Sequence, residues 1–201
     1  MFDSGIKALD LIEQIKNEAD ISTPIPDEDY ILWINTLEQM LYSEVIKEQA
    51  KIEVNDINAD SSIDIENHPV NEEQSSIRFE DIHAIYNGET QLIKTTVASG
   101  GIFPDCFYKI ENKIGLNLKN EPEKIRIVYY VRPAIKKPEN ISDLNVMLPV
   151  EFIDLAKSKL RGEAYKLANE GDIAAMWLND YNILLETFKV WVSDKEPKFG
   201  V

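Results

Sequence analysis

The chain has 201 residues, 36 of them Asp or Glu and 21 Lys or Arg, for a formal net charge of −15. That balance disfavours a nucleic-acid-binding surface as its main character, since phosphate contact is built on Lys and Arg, without forbidding a local basic patch, and no sequence-specific nucleic-acid partner is expected. A 44% hydrophobic content is that of a folded protein, the single Cys106 excludes an internal disulfide, and two histidines with one cysteine exclude a zinc site that does not recruit carboxylates. No apolar run approaches the roughly 20 residues of a membrane span. The amino terminus has no basic region leading into an apolar block, so the expectation is a chain made in the cytoplasm with no membrane partner.

Ile6, Leu9, Ile12 and Ile15 recur at spacing three, widened by Leu11, and predict a short amphipathic helix from about Ser4. Pro24 and Pro26 end it in a stiff elbow. After the elbow, Asp27 is suited to cap a second helix carrying Tyr30, Trp33, Leu37 and Met40 or Leu41. Residues 1–50 are therefore expected as a helical pair. Residues 51–76 contain seven acids and no Lys or Arg after Lys51, the composition of a solvated loop or insertion.

Residues 77–148 turn to strands. Asn87-Gly88 lies between two alternating runs, where both residues of a tight turn accept positive φ, and a second hairpin is expected around Asn112-Lys113. Lys124 to Arg132 alternates Ile125, Ile127, Tyr129 and Val131 with a mixed second face, which predicts a central strand. Leu144 to Leu148 is expected as one more short strand before Pro149, where a helix can start. Residues 149–201 read as a helical hairpin. Phe152, Leu155, Ala156, Leu160, Ala164 and Leu167 line its first helix, Gly171 and Asp172 suit a break, and Ile173, Trp177, Tyr181, Leu184, Phe188 and Trp191 are expected along one side of the second. The fold class expected is α+β, with both terminal helical pairs packed together and a central antiparallel β-sandwich or small barrel.

Four constellations carry possible chemistry. Asp56, Asn58, Asp60, Ser62 and Asp64 occupy alternate positions, as calcium ligands in a curled loop do. Ser61 stands where such a loop needs Gly, and Asn67 where it needs a closing Glu, so a solvated acidic loop is the reading preferred. Cys106 and His83 lie in separate predicted strands and could meet across a sheet, but a core thiol and a cross-strand imidazole are the commoner outcome. Arg132, Lys136 and Lys137 form a basic cluster that suits either a solvated turn or an acidic partner. Trp177, Tyr181, Phe188 and Trp191 make an aromatic stripe on the last helix, which suits core packing or, as aromatic residues are enriched at interface centres, a subunit contact. No catalytic residue, resident metal or cofactor is expected.

Three strings, Asp29 to Glu38 (DYILWINTLE), Lys124 to Pro133 (KIRIVYYVRP) and Leu148 to Leu155 (LPVEFIDL), resemble segments of virion proteins in the head-to-tail connector, or neck adaptor, group of tailed bacteriophages. The closing stretch from Gly171-Asp172 through Trp177 and Tyr181 to Phe188 is also similar. The resemblance spans most of the chain except the acidic insertion. It implies a non-enzymatic subunit, in virions or prophage remnants, that forms a homo-oligomeric ring between portal and tail proteins. The alternatives are a calcium-dependent or other binding module and a cryptic hydrolase.

Overall fold

The computed structural model describes residues 2–21, 23–55, 57, 61–65, 76–100, 102–121 and 124–195. They form an α+β protein of two compact units, a helical unit made of the chain up to Ile46 and from Ile135 onward, and a β unit, Lys47–Ala134. Among the described residues no helix is long and apolar enough to cross a membrane.

The helical unit contains α1 (Ala8–Glu18), α2 (Asp27–Met40), α4 (Ile153–Leu167) and α5 (Gly171–Lys195). Helix α1 starts four residues after the expected Ser4, because Ser4 is engaged elsewhere. Its backbone N–H and its hydroxyl both donate to the Val146 carbonyl, and Gly5 takes φ +69°. Leu11, Ile12 and Ile15 then face the core. Helix α2 buries Tyr30, Ile31, Ile34 and Leu37, and a π-helical segment, Leu41–Ile46, prolongs it. Asp27 lies in the first turn of α2 and makes no side-chain cap bond; its carboxylate pairs with Lys16 across the proline elbow.

Helix α4 follows a 3-10 turn, Val150–Phe152, that begins after Pro149. The break to α5 is made by Asn169 rather than Gly171. Asn169 takes φ +62°, the Asn169 N–H reaches the Lys166 carbonyl, and the Glu170 N–H reaches the Tyr165 carbonyl. These two bonds are a Schellman closure, which needs one left-handed residue, and Asn tolerates that conformation. Gly162 on α4 allows α5 to approach closely, since a Cβ there would lie 2.7 Å from Leu178 Cγ. The segment 144–148, expected as a strand of the β domain, belongs to the helical unit and makes only an isolated bridge, Lys7 to Asn145.

The β unit holds two four-stranded sheets, so its strands do not close into one barrel. One is ordered β1 (Gln49–Val54), β8 (Ile125–Tyr130), β3 (Ile82–Asn87), β4 (Thr90–Gln91). The other is ordered β2 (Ser62–Asp64), β7 (Lys113–Asn117), β6 (Cys106–Ile110), β5 (Ile93–Lys94). All pairings are antiparallel except β5 with β6. A four-residue helix, α3 (Val97–Gly100), lies between β5 and β6.

Strand β8 is central as expected, flanked by β1 and β3, with Ile125, Ile127 and Tyr129 buried. The expectation of a loop over 51–76 is corrected in two places: Lys51 to Val54 form most of β1, where Glu53 pairs with Lys124 of the β8 side at 2.6 Å, and Ser62 to Asp64 form β2 on β7. Composition suggested a loop because β1 finds its partner more than 70 residues later, a pairing no local pattern reveals. Both hairpin turns also sit one residue from where they were expected. The first is Gly88-Glu89, with Gly88 alone at positive φ, and the second is Glu111-Asn112, with Glu111 at φ +50°. The first matches a turn that demands Gly at its first central position, instead of one needing two left-handed residues.

Candidate interaction surface

Two members of the aromatic stripe, Tyr181 and Phe188, are buried on the inner face of α5. Phe188 meets Phe152 edge-on at 4.9 Å and stacks on Trp191 at 5.9 Å. Trp191 is half-buried, packs on Phe152 and Phe2, and carries Lys195 Nζ 3.8 Å above its ring. Trp177 is half-buried beneath the Arg161 guanidinium at 4.6 Å. Burial pushes the Tyr181 hydroxyl up from its ordinary pKa, with the Glu44 and Glu163 charges adding to the effect. These rings hold the helical unit together, because α5 turns its bulkiest side chains toward α4 and the amino-terminal helices.

Each of the three basic residues has surroundings of its own. Arg132 belongs to the β unit and binds Asp81 at 2.5 Å. Lys136 is buried against Glu38 in the helical unit, also at 2.5 Å. Lys137 is exposed in a turn closed by its own backbone N–H donating to Asn140 Oδ1. Sequence proximity misled here because Arg132 is engaged at the end of the central strand and Lys136 by α2.

Asp56, Asn58 and Asp60 lie outside the described residues. Ser62 and Asp64 are in β2, where Asp64 pairs with Lys113 at 3.5 Å, and Ser61 before them takes φ +58°. Among the described residues no three His, Cys, Asp or Glu side chains are placed to hold a metal. Cys106 and His83 fall in different sheets. Cys106 is fully buried, its Sγ donates to the Phe103 carbonyl at 3.0 Å, and burial raises its pKa, which disfavours the nucleophilic thiolate. His83 Nδ1 lies 3.2 Å from the Tyr130 hydroxyl.

A cavity of ≈ 170 Å³ opens at the elbow between α1 and α2, lined by Lys16, Ile21, Pro24, Ile25 and Tyr30 among others. It is smaller than the roughly 300 Å³ at which ligand pockets begin.

What the structure presents instead is exposed apolar side chain. In the β unit, Ile93, Val97, Ile102 and Phe103 are all solvent-facing within eleven residues of chain, Ile102 at 73%. Hydrogen bonds order the backbone at Ile102 and Phe103. The Phe103 carbonyl accepts from Asn117 Nδ2 at 2.9 Å as well as from Cys106, and the Ser99 carbonyl accepts from the N–H groups of Ile102 and Phe103. Several large apolar side chains exposed within a short stretch are a feature of interaction surfaces, and hydrogen bonds that order the backbone lower the entropy lost on docking. In the helical unit, Leu32 and Val150 are exposed, as are Ile173, Met176, Ile183 and Val190 on the outer face of α5. Ile173 and, at the end of α4, Leu167 were expected on core-facing rows and are exposed instead, each lying in a terminal turn; the other exposed residues were not singled out by sequence. The seven-residue spacing of Met176, Ile183 and Val190 was the available signal. No known family model matches the chain, and no curated protein registers as a relative.

Proposed function

We propose that the chain is a non-enzymatic structural subunit of a tailed-bacteriophage virion, a head-to-tail connector or neck adaptor that assembles as a ring between portal and tail, in a particle or a prophage remnant. The strings that resemble this group fall on α2, β8, the start of α4 and α5, which are the framework elements of the two units. A ring built from one kind of subunit needs two different, mutually complementary surfaces on each copy. The observation that carries the reading is that each unit exposes its own set of large apolar side chains, Ile93, Val97, Ile102 and Phe103 in one and Leu32 and Val150 in the other. Isolated surface hydrophobics are ordinary, whereas four exposed within the stretch from β5 through α3 to Phe103 support a contact surface.

The deciding experiment is co-assembly with the portal ring encoded by the same genome, followed by light scattering and electron microscopy. Rings seated on the portal are the expected outcome. A chain that stays monomeric in the presence of its portal sinks the reading, and turnover of a substrate that disappears on altering His83 or Cys106 would replace it with an enzyme.

A further inference from the structure

On the outer face of α5, the positions Ile173, Met176, Asp180, Ile183, Thr187, Val190 and Asp194 recur at alternating steps of three and four. All are exposed, and Met176, Ile183 and Val190 remain 54%, 59% and 62% accessible. The opposite face of the same helix is already committed to the core through Ala174, Tyr181, Phe188 and Val192. A helix seam repeats at alternating steps of three and four, and this face fills one of its two positions per heptad with Met176, Ile183 and Val190 and sets Ile173, Asp180, Thr187 and Asp194 at the other, a half-apolar, half-acidic row.

The charges beside this ridge identify what lies along it. Lys189 is paired with Glu186 at 2.7 Å, and Lys195 is drawn over the Trp191 ring. Asp172, Asp180 and Asp194 have no ion pair among the described residues, so the net character of the ridge's flanks is acidic. We propose that this face docks an amphipathic helix of another protein, one that sets an apolar side chain against each of Met176, Ile183 and Val190 and Lys or Arg against Asp180 and Asp194. A second copy of the chain fits poorly. Parallel pairing would bring Asp180 to Asp180 and Asp194 to Asp194. Antiparallel pairing centred on Ile183 would match Met176 with Val190 but bring Asp180 to Glu186 and Asp172 to Asp194. Like charges opposed across a helical seam disfavour that pairing, and a chain of net charge −15 adds to the repulsion. A basic helix meets neither penalty. The inference stands on α5 alone and does not depend on ring assembly.

The test titrates the full chain with two synthetic helical peptides of about three heptads, sharing one Leu ridge at seven-residue spacing and flanked by Lys in one and Glu in the other. The Lys peptide is expected to bind at least about tenfold more tightly than the Glu peptide. Ile183→Glu with Val190→Glu is expected to weaken the Lys peptide by about tenfold or more while circular dichroism stays unchanged, since both side chains face solvent. Asp180→Lys with Asp194→Lys is expected to reverse the preference. Absence of binding, equal binding of both peptides, or undiminished binding to the Ile183→Glu, Val190→Glu chain would overturn the proposal. So would concentration-dependent dimerisation that Ile183→Glu abolishes, which would place a second copy on this face.

Discussion

Lys136 Nζ and Glu38 Oε2 form an ion pair 2.5 Å apart with both side chains 1% exposed, joining α2 to the segment that leads back from the β unit. The second oxygen of Glu38 accepts the Met147 N–H at 2.8 Å, and Asn35 brackets Lys136 by bonding both its backbone N–H and its carbonyl. One side chain of α2 thus fixes residues 136 and 147 together. A buried pair of this kind gains little over an apolar replacement, but stranding one charge is costly. Lys136→Met should therefore lower stability by about 3–5 kcal/mol, because the Glu38 carboxylate keeps its burial and loses its cation. Replacing both residues with Met should cost less than Lys136→Met alone, the Met147 N–H being the group left without its acceptor. Chemical denaturation of the three chains measures this, and a double variant less stable than the single one would contradict it.

The same carboxyl gives a pH dependence with a definite sign. Burial pushes the Glu38 pKa above its ordinary value, outweighing the downward pull of Lys136 and the Met147 N–H. The folded chain therefore holds this proton to a higher pH than the unfolded chain. Between the ordinary carboxylate value and the raised one the folded state binds more protons, so the stability contributed here falls as pH rises through that window. In Glu38→Gln nothing titrates at this position. Wild-type stability minus that of Glu38→Gln should decline as pH is raised from the usual carboxylate range toward neutrality. A difference that grows with pH instead would mean that the Lys136 charge dominates over burial.

Much of this architecture is legible in local sequence because local sequence causes it. The 3-4 rhythm of Tyr30, Leu37 and their neighbours, and the strict alternation at Ile125, Ile127 and Tyr129, translate directly into buried faces. Strand β1 was not legible, since Gln49 to Val54 is stabilised by pairing with Ile125 to Tyr130 and looks, in isolation, like the edge of an acidic loop. The one-residue shift in both hairpins has a related origin, because cross-strand register sets the turn at Gly88-Glu89, where Gly88 also suits the turn type, and at Glu111-Asn112. For the contact surfaces, the aromatic side of α5 drew attention through its bulk. Both sides of α5 repeat at seven, and packing against α4 and the amino-terminal segments decides which one is hidden.

Gly162 tests that packing. Added Cβ density would lie 2.7 Å from Leu178 Cγ and Cδ2 and 3.3 Å from its backbone nitrogen, so the Leu178 side chain must leave its rotamer or α5 must shift. An alanine in a helix interior is worth about 1 kcal/mol over glycine, whereas overpacking costs about 1–3 kcal/mol. Gly162→Ala should lower the melting temperature in the wild-type chain and raise it in a Leu178→Ala background, where the space exists. The same sign in both backgrounds would show that the close approach is not what selects glycine.

The turn between α4 and α5 offers a backbone test. Asn169 at φ +62° holds the left-handed position that closes α4. Asn169→Val should cost about 1–2 kcal/mol, because a β-branched side chain crowds the following carbonyl in this conformation, while Asn169→Gly should be close to neutral. Thermal unfolding of the two variants separates them, and equal melting temperatures would show that the turn has relaxed to another closure.

The apolar loop of the β unit separates assembly from folding. Ile102 and Phe103 point into solvent, while the Phe103 carbonyl, not its ring, carries the bonds to Asn117 and Cys106. Ile102→Asp with Phe103→Asp should therefore leave the melting temperature within about 0.5 kcal/mol equivalent of wild type, as substitutions at exposed positions do. If this loop is a subunit contact, the same chain should fail to form rings on its cognate portal, since an interface centre that must bury two carboxylates loses several kcal/mol per contact. Asn117→Ala is the complementary change. It removes one of the two donors to the Phe103 carbonyl, leaves both apolar side chains in place, and should weaken assembly by a smaller factor through a looser loop. Co-sedimentation with portal rings reads both effects. Full assembly of the double Asp chain would remove this loop from the ring contact and leave Leu32 and Val150 to account for it on their own.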